Sequence, residues 1–357
     1  MKKIFSLVLA IVLVLSLAAC GGGSGPAVNP TTAPDATAAG TASPPVAGPV
    51  KKLVAAHVLD QTHPVHQGFV EMDRLLKELS GGTMALDIFP SSALGDEEPT
   101  LEAMKMGGTI DLSAPSAAPV SIYAKQFLVC DFPYSFLNYD QVWKFYDGEF
   151  GEYLYNQLEG SGIKGLAWWD NGFRNLTTTN KPINSLADLK GMKIRTMSSP
   201  VHMAAMNALG AAATPVPFGE LYSALQQGVA EGQENPVANI LGNKFYEVQN
   251  YLMMSRHFFD PSPLLISQKT WDSLTPEQQG WVKEAAVKAG EYMRQVSIDE
   301  EAAKLEQLEN EGMTVIHFSE EQLKAFQEAT KEVYKGFIND VGQDCIDLYM
   351  KCIEEVK

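Results

Sequence analysis

From Leu53 onward, short apolar runs of strand length alternate with amphipathic stretches of helical period, and that alternation confines the chain to an α/β architecture. Leu53 to His57 reads as a first strand. Pro64, next to His63, suits a first helical position, and Phe69, Met72, Leu75, Leu76 and Leu79 then recur at helical spacing up to Gly81. Met84 to Phe89 predicts a second strand, Pro99 to Met106 a helix, and Ile110 to Ser113 a third strand. Further on, Gly162 to Trp169, Leu176 to Thr179 and Lys193 to Thr196 read as strands. Ser199 and Pro200 open a helix that Gly210 stops, and a second helix runs from Gly219 to Gln227. Thr275, Pro276 and Gln278 form a helix start before a long run with Val282, Ala285, Ala289 and Met293. Ser319 with Gln322 signals another helix through Val333 and Phe337. With 45% apolar residues in 357, the chain can bury more than one compact lobe usually holds. The expectation is two α/β lobes braced by long C-terminal helices.

The first twenty residues impose a compartment. Lys2 and Lys3 precede an apolar run from Ile4 to Leu15, which is too short to span a bilayer, and small residues then lead to a cysteine. This is a signal peptide over residues 1–19. Leu17, Ala18, Ala19 and Cys20 resemble a lipobox, so Cys20 is the expected lipidation site and a lipid anchor on the extracytoplasmic face of the cell membrane the expected location. Residues 21–50 are Gly, Ser, Pro, Thr and Ala with a single charge, Asp35, and read as a flexible spacer. The folded domain then covers residues 51–357, with lobe I at roughly 51–170 plus part of the C-terminus and lobe II at roughly 171–260.

A formal charge of −16 makes nucleic acid and anionic lipid surfaces poor partners for the bulk surface. Three cysteines remain after Cys20. Cys345 and Cys352 are seven apart in a helical-looking segment, about 10 Å along the axis and beyond disulfide reach, so buried or free thiols are expected. His63 and His66 could share a helical face for a metal, but no acid or cysteine cluster accompanies them, and no metal or cofactor is expected. They read instead as lining the mouth of a cleft. The chain has no G-x-S-x-G elbow, H-E-x-x-H pair or P-loop, and is not expected to be an enzyme.

The most informative block runs from Trp168 to Asn239. It holds Trp168, Trp169, Asp170, Asn171, Gly172, Phe173, Arg174 and Asn175, then KPINSLADLKGMKIRT ending at Thr196, then PVPFGELYSALQQGVAEGQENP ending at Pro236. With FPSSALGDEE near residue 95 and KFYEVQNYL from Lys244, this block resembles the dicarboxylate-type solute-binding proteins of tripartite ATP-independent periplasmic (TRAP) transporters. The resemblance implies a two-lobed periplasmic-binding-protein-like fold with a hinge, a small organic acid as ligand, and TRAP membrane subunits as partners.

From chemistry alone, Arg195 at the end of a strand offers a planar fork for a carboxylate, or else forms an ordinary salt bridge. The resemblance makes it the principal carboxylate anchor. It likewise implies that Arg174 faces the ligand, that Asn235 contacts it, that Phe218 lies against its body, and that Glu97 supplies a polar contact from the first lobe. Two guanidinium groups in one pocket repel unless an anion lies between them, which also points to an acidic ligand. Asn171 and Ser116 complete the candidate set, with His63. Either Trp168 or Trp169 could stack on a sugar ring, since only one can face the cleft from a strand, but a core role for both is the favoured reading.

A ligand-sensing lipoprotein serving a receptor kinase would share this pocket, and a secreted lyase or hydrolase could use the same scaffold. The identity of the acid, C4-dicarboxylate, uronate or other, stays open. A monomer is the default expectation.

Overall fold

The computed structural model describes residues 49–357. The signal peptide, Cys20 and the spacer up to residue 48 lie outside the described residues. Among the described residues, no helix is long and apolar enough to cross a membrane.

One mixed sheet organises the domain. Its strands are β1 (Lys51–Ala56), β2 (Met84–Phe89), β3 (Leu112–Ser113), β4 (Ile163–Thr178), β5 (Lys193–Thr196), β6 (Ala212–Pro215), β7 (Gly232–Asn235), β8 (Tyr251–Ser267) and β9 (Thr314–His317). Their order is β2-β1-β3-β8-β4-β7-β5-β6, with β9 on β8. β1 lies parallel to β2 and β3, and β5 parallel to β6 and β7. The long strands β4 and β8 run antiparallel, from Ile163 opposite Ser267 to Thr178 opposite Tyr251.

These two strands, 16 and 17 residues, are about three times the usual length and reach about 50 Å. The C-terminal end of β8 pairs with β3, while its N-terminal end pairs with β9 and the C-terminal end of β4 pairs with β7. Each half of the sheet is covered by its own apolar clusters. Trp168, Phe127 and Tyr146 pack on one face of the first half and Trp169, Phe69 and Met72 on the other. Ile194, Met206 and Phe258 cover one face of the second half, and Ile240, Phe245 and Leu252 the other.

The expected break between Trp169 and Leu176 is absent: β4 is continuous through Asp170, Asn171, Gly172, Arg174 and Asn175. Polar residues interrupt the apolar pattern there because the strand supplies the site. Bulges fall between Gly165 and Ala167, Asp170 and Gly172, and Arg174 and Leu176, and Gly172 takes a φ of 121° that a side chain would resist.

Local signals set the helices. In α1 (Pro64–Leu79), His63 is the N-cap and its Nδ1 accepts the Val65 N–H; α2 (Glu97–Lys105) starts from Asp96, two residues earlier than expected. Thr275 and Gln278 close a reciprocal capping box, as do Ser319 and Gln322, although the latter helix ends at Thr330 and resumes as a tighter turn over Val333–Phe337. The Thr275-capped helix, Pro276–Asn310, is 35 residues and about 52 Å long. It packs against α1 and β4 at one end and against the helix Val237–Gly242 and β9 at the other, bracing both halves of the sheet. Cys130, Cys345 and Cys352 are buried free thiols.

Trp169 joins this helix to the sheet: it is fully buried, donates its Nε1 hydrogen to the Ala286 carbonyl at 3.0 Å and meets Phe69 edge-on at 4.9 Å. Trp169→Ala is expected to cost about 3–5 kcal/mol in urea unfolding. A loss below about 1 kcal/mol would contradict this packing role.

Candidate ligand-binding site

Where β4, β5 and β7 lie side by side at mid-sheet, a narrow pocket is lined by chain segments from both halves. Val58 and Leu59 after β1, Glu97 at the start of α2, and Ala114 and Ser116 after β3 form one side. Arg195, Met197, Phe218, Asn235 and Asn239 form the other. A hydrogen bond from the Gly219 backbone to Asp96 Oδ2, 3.0 Å, ties the two sides at the rim.

Arg195 is the third residue of β5, so Ile194 enters the core and the guanidinium takes the opposite face. It is 1% exposed. Nε and Nη2 both donate to the Val216 carbonyl, at 2.9 and 2.7 Å, which fixes the plane of the fork. Nη1 meets no acceptor among the described residues. Burial pulls its pKa down to about 10; Glu234 opposes the shift and Arg174 adds to it. It remains charged at neutral pH.

Arg174 is arranged differently. Its Nε donates to Glu234 Oε2, its Nη2 to Glu234 Oε1 and to the Glu234 carbonyl, and its Nη1 to Asp260 Oδ2 at 2.7 Å. Burial opposes its charge, but the two carboxylates outweigh burial and hold its pKa above the usual arginine value. It lines the pocket with one N–H of Nη1 left over, since a guanidinium carries five. The expectation that two facing guanidinium groups would by themselves demand an anion is therefore corrected: Glu234 and Asp260 already neutralise Arg174. Behind them, His202 lies 3.3 Å from Asp131 and 3.4 Å from Glu234. Burial disfavours its charge, but Asp131 and Glu234 prevail and raise its pKa to about 9.

The other predicted residues divide clearly. Glu97, Ser116, Asn171, Phe218 and Asn235 line the pocket with the two arginines. Glu97 Oε1 accepts the Ser116 N–H at 2.8 Å, and Asn171 Nδ2 donates to Ser116 Oγ at 3.2 Å and to Asp260 Oδ2 at 2.8 Å. Burial pushes the Glu97 carboxyl up to about 7, against the Ser116 N–H that favours its charged form. Phe218 stands half-buried, edge-on to Phe245.

Trp168 is a correction. It stacks on Tyr155 at 4.5 Å inside a core cluster, away from the pocket, because β4 turns Trp168 and Trp169 into the apolar layers on opposite faces. His63 is another. It is buried and does not line the pocket; with Nδ1 engaged in capping α1, its Nε2–H donates to Asn239 Oδ1 at 2.8 Å, and Asn239 in turn donates to Asn235 Oδ1 at 3.3 Å. His63 thus reaches the pocket only by way of its bond to Asn239, which does line it. His66 faces His57 at 3.1 Å, and among the described residues no group of three or more His, Cys, Asp or Glu side chains could hold a metal.

Sequence reasoning missed Glu234, Asp260, Asn239, Ser262 and His202. Glu234 sits inside GQENP, and the only signal for it was an acid in a four-residue strand next to Asn235. Asp260 was signalled by an acid set between the aromatic pair Phe258 and Phe259 and Pro261.

Residues 55–340 match the family described as bacterial extracellular solute-binding protein, family 7. The chain belongs to this family. It is thus a solute-binding protein of the TRAP type, a ligand-binding and not a catalytic family. The 2,3-diketo-L-gulonate-binding periplasmic protein YiaO of Escherichia coli is 33% identical over 298 residues, 83% of this chain and 89% of that protein. A sugar acid binding protein of Advenella mimigardefordensis, solved with galactonate, is 29% identical with a TM-score of 0.84 over 87% of this chain and 99% of that one. A TRAP periplasmic solute-binding protein of Sulfurospirillum deleyianum, solved with succinate, is 30% identical with a TM-score of 0.81, covering 87% and 100%. These relatives carry the two-lobed fold of family 7, in line with the two halves of the sheet here.

Because the folded-state pKa of His202 lies above its ordinary 6.5, its contribution to stability is fully present below 6.5 and is lost as pH rises through about 9. Melting temperature is expected to fall across that window, and His202→Gln to flatten the decline. The same slope in both proteins would contradict the assignment.

Proposed function

We propose that this family 7 protein captures a small organic acid by its carboxylate and delivers it to TRAP membrane subunits from the extracytoplasmic face, held there by a lipid on Cys20. The observation that carries the reading is Arg195: a buried guanidinium oriented by Val216, with Nη1 free among the described residues and turned to a pocket. A carboxylate there gains a short-range, desolvated, charge-assisted contact that water cannot match. Asn235 and the remaining N–H of Arg174 add polar contacts, Phe218 lies against the ligand body, and Glu97, Ser116 and Asn171 form the facing wall. The relatives' ligands, 2,3-diketo-L-gulonate, galactonate and succinate, are all organic acids, which supports this ligand class.

The lobes are taken as roughly 51–170 with part of the C-terminus, and 171–260, hinged along β4 and β8. A ligand touching both sides of the pocket favours the closed arrangement by its differential affinity for the two states. The Leu17, Ala18, Ala19, Cys20 sequence and the spacer after it support the anchor.

Arg195→Ala should lose about 2–5 kcal/mol of binding, roughly 30-fold or more in Kd, in calorimetric titration with whichever acid of a panel raises the melting temperature of the parent protein. Unchanged affinity with an unchanged fold would sink the carboxylate reading. In cells, Cys20→Ala should abolish labelling by radioactive palmitate and move the protein from the membrane to the soluble fraction. Persistent labelling in that variant would refute the anchor.

A further inference from the structure

The two sides of the pocket differ in hydrogen-bonding character, and the difference bears on which organic acid fits. On the β5 side, Nη1 of Arg195 is the donor that meets no acceptor among the described residues. On the other side, Glu97, Ser116, Asn171 and Ser262 form a wall held by its own hydrogen bonds. Glu97 takes the Ser116 N–H, and Ser116 Oγ takes one Asn171 N–H. Ser262 donates its single hydrogen to the carbonyls of Ala114 and Pro115, at 3.0 Å each, leaving only lone pairs. Asn171 is 7% exposed, both its amide hydrogens are engaged, and its Oδ1 meets no donor among the described residues.

This wall therefore presents acceptors: Asn171 Oδ1, Ser262 Oγ and the Glu97 carboxyl. A buried acceptor without a donor is costly, so a fitting ligand brings hydrogens to it. Hydroxyl groups do so. A second carboxylate does not: it would set lone pairs against lone pairs and a negative charge beside Glu97. Nor does the lining offer it a cation, since Arg174 is already matched by Glu234 and Asp260.

We infer that the pocket selects a hydroxylated monocarboxylic acid, an acid of the sugar-acid type, over an unsubstituted dicarboxylic acid: the carboxylate lies on Arg195 and the hydroxyls face the acceptor wall of Asn171, Ser262 and Glu97. The inference rests on the carboxylate reading of Arg195 and adds the identity of the far end.

The test compares acids of equal carbon number by calorimetry at pH 8, above the pKa of about 7 of Glu97: D-erythronate against succinate, and D-galactonate against adipate. The hydroxylated acid is expected to bind at least ten-fold tighter in one pair, and Glu97→Gln to narrow that ratio several-fold by strengthening the dicarboxylate, with the melting temperature of the free protein retained. Equal or tighter dicarboxylate binding in both pairs, or an unchanged ratio in a folded Glu97→Gln protein, overturns the inference. If that dicarboxylate binding is lost in Arg195→Ala, the carboxylate reading survives alone. If none of the four acids binds while another carboxylic acid of the panel does, the inference falls and the carboxylate reading stands; if no carboxylic acid of the panel binds, the carboxylate reading falls as well.

Discussion

At the centre of the sheet a buried arginine is held between two buried carboxylates from different strands, and the chemistry of the pocket depends on that ion triad. Arg174 comes from the bulged middle of β4, Glu234 from β7 and Asp260 from β8. An uncompensated charge at this depth would cost several kcal/mol, and removing one partner of such a group is typically worth 3–5 kcal/mol of instability, so the three strands are held in register by mutual need. Because both acids are engaged by Arg174, neither is bonded to Arg195, whose only acceptor among the described residues is the neutral carbonyl of Val216.

In the proposed function, that asymmetry is what drives a carboxylate onto the site. A guanidinium kept from water and facing a neutral acceptor is less stable than one that meets an anion, and its lowered pKa reflects this. The fold carries that unfavourable term, supported by the burial of the surrounding clusters, and a carboxylate bound as proposed would relieve it. Since Val216 already fixes the plane of the fork, little side-chain ordering is left to oppose association.

Much of this was legible from the sequence where a local signal existed. Pro64 as a first helical residue, the Thr275–Gln278 and Ser319–Gln322 pairs, and the strands at Met84–Phe89 and Lys193–Thr196 follow from patterns that need no tertiary context. Arg195, Glu97 and Phe218 were placed by resemblance, and they do share one pocket. β8 was invisible because Pro261 and Pro263 argue against a central strand. They are tolerated since β8 pairs with β9 only through Met254 and with β3 only from Leu265, leaving no strand partner on that side between. Trp168 and His63 were misplaced for a related reason: which face a side chain takes, or which partner claims a ring nitrogen, depends on bulges and caps that spacing alone does not reveal.

The two long strands also have a mechanical meaning. Since one uninterrupted ladder passes from the first half of the sheet to the second, a rotation between the halves would be absorbed as added twist and altered pleat spread over many peptide units, with the bulges as the most compliant points. The protein is in this sense a flexure, without the sliding surfaces or single pivot of a jointed hinge, and the 35-residue helix laid across both halves acts as a strut that limits bending to few directions. Such an element has a restoring torque of its own, so in a cleft that closes as proposed the tendency to reopen would be set by backbone elasticity in β4 and β8 as well as by the contacts a ligand makes.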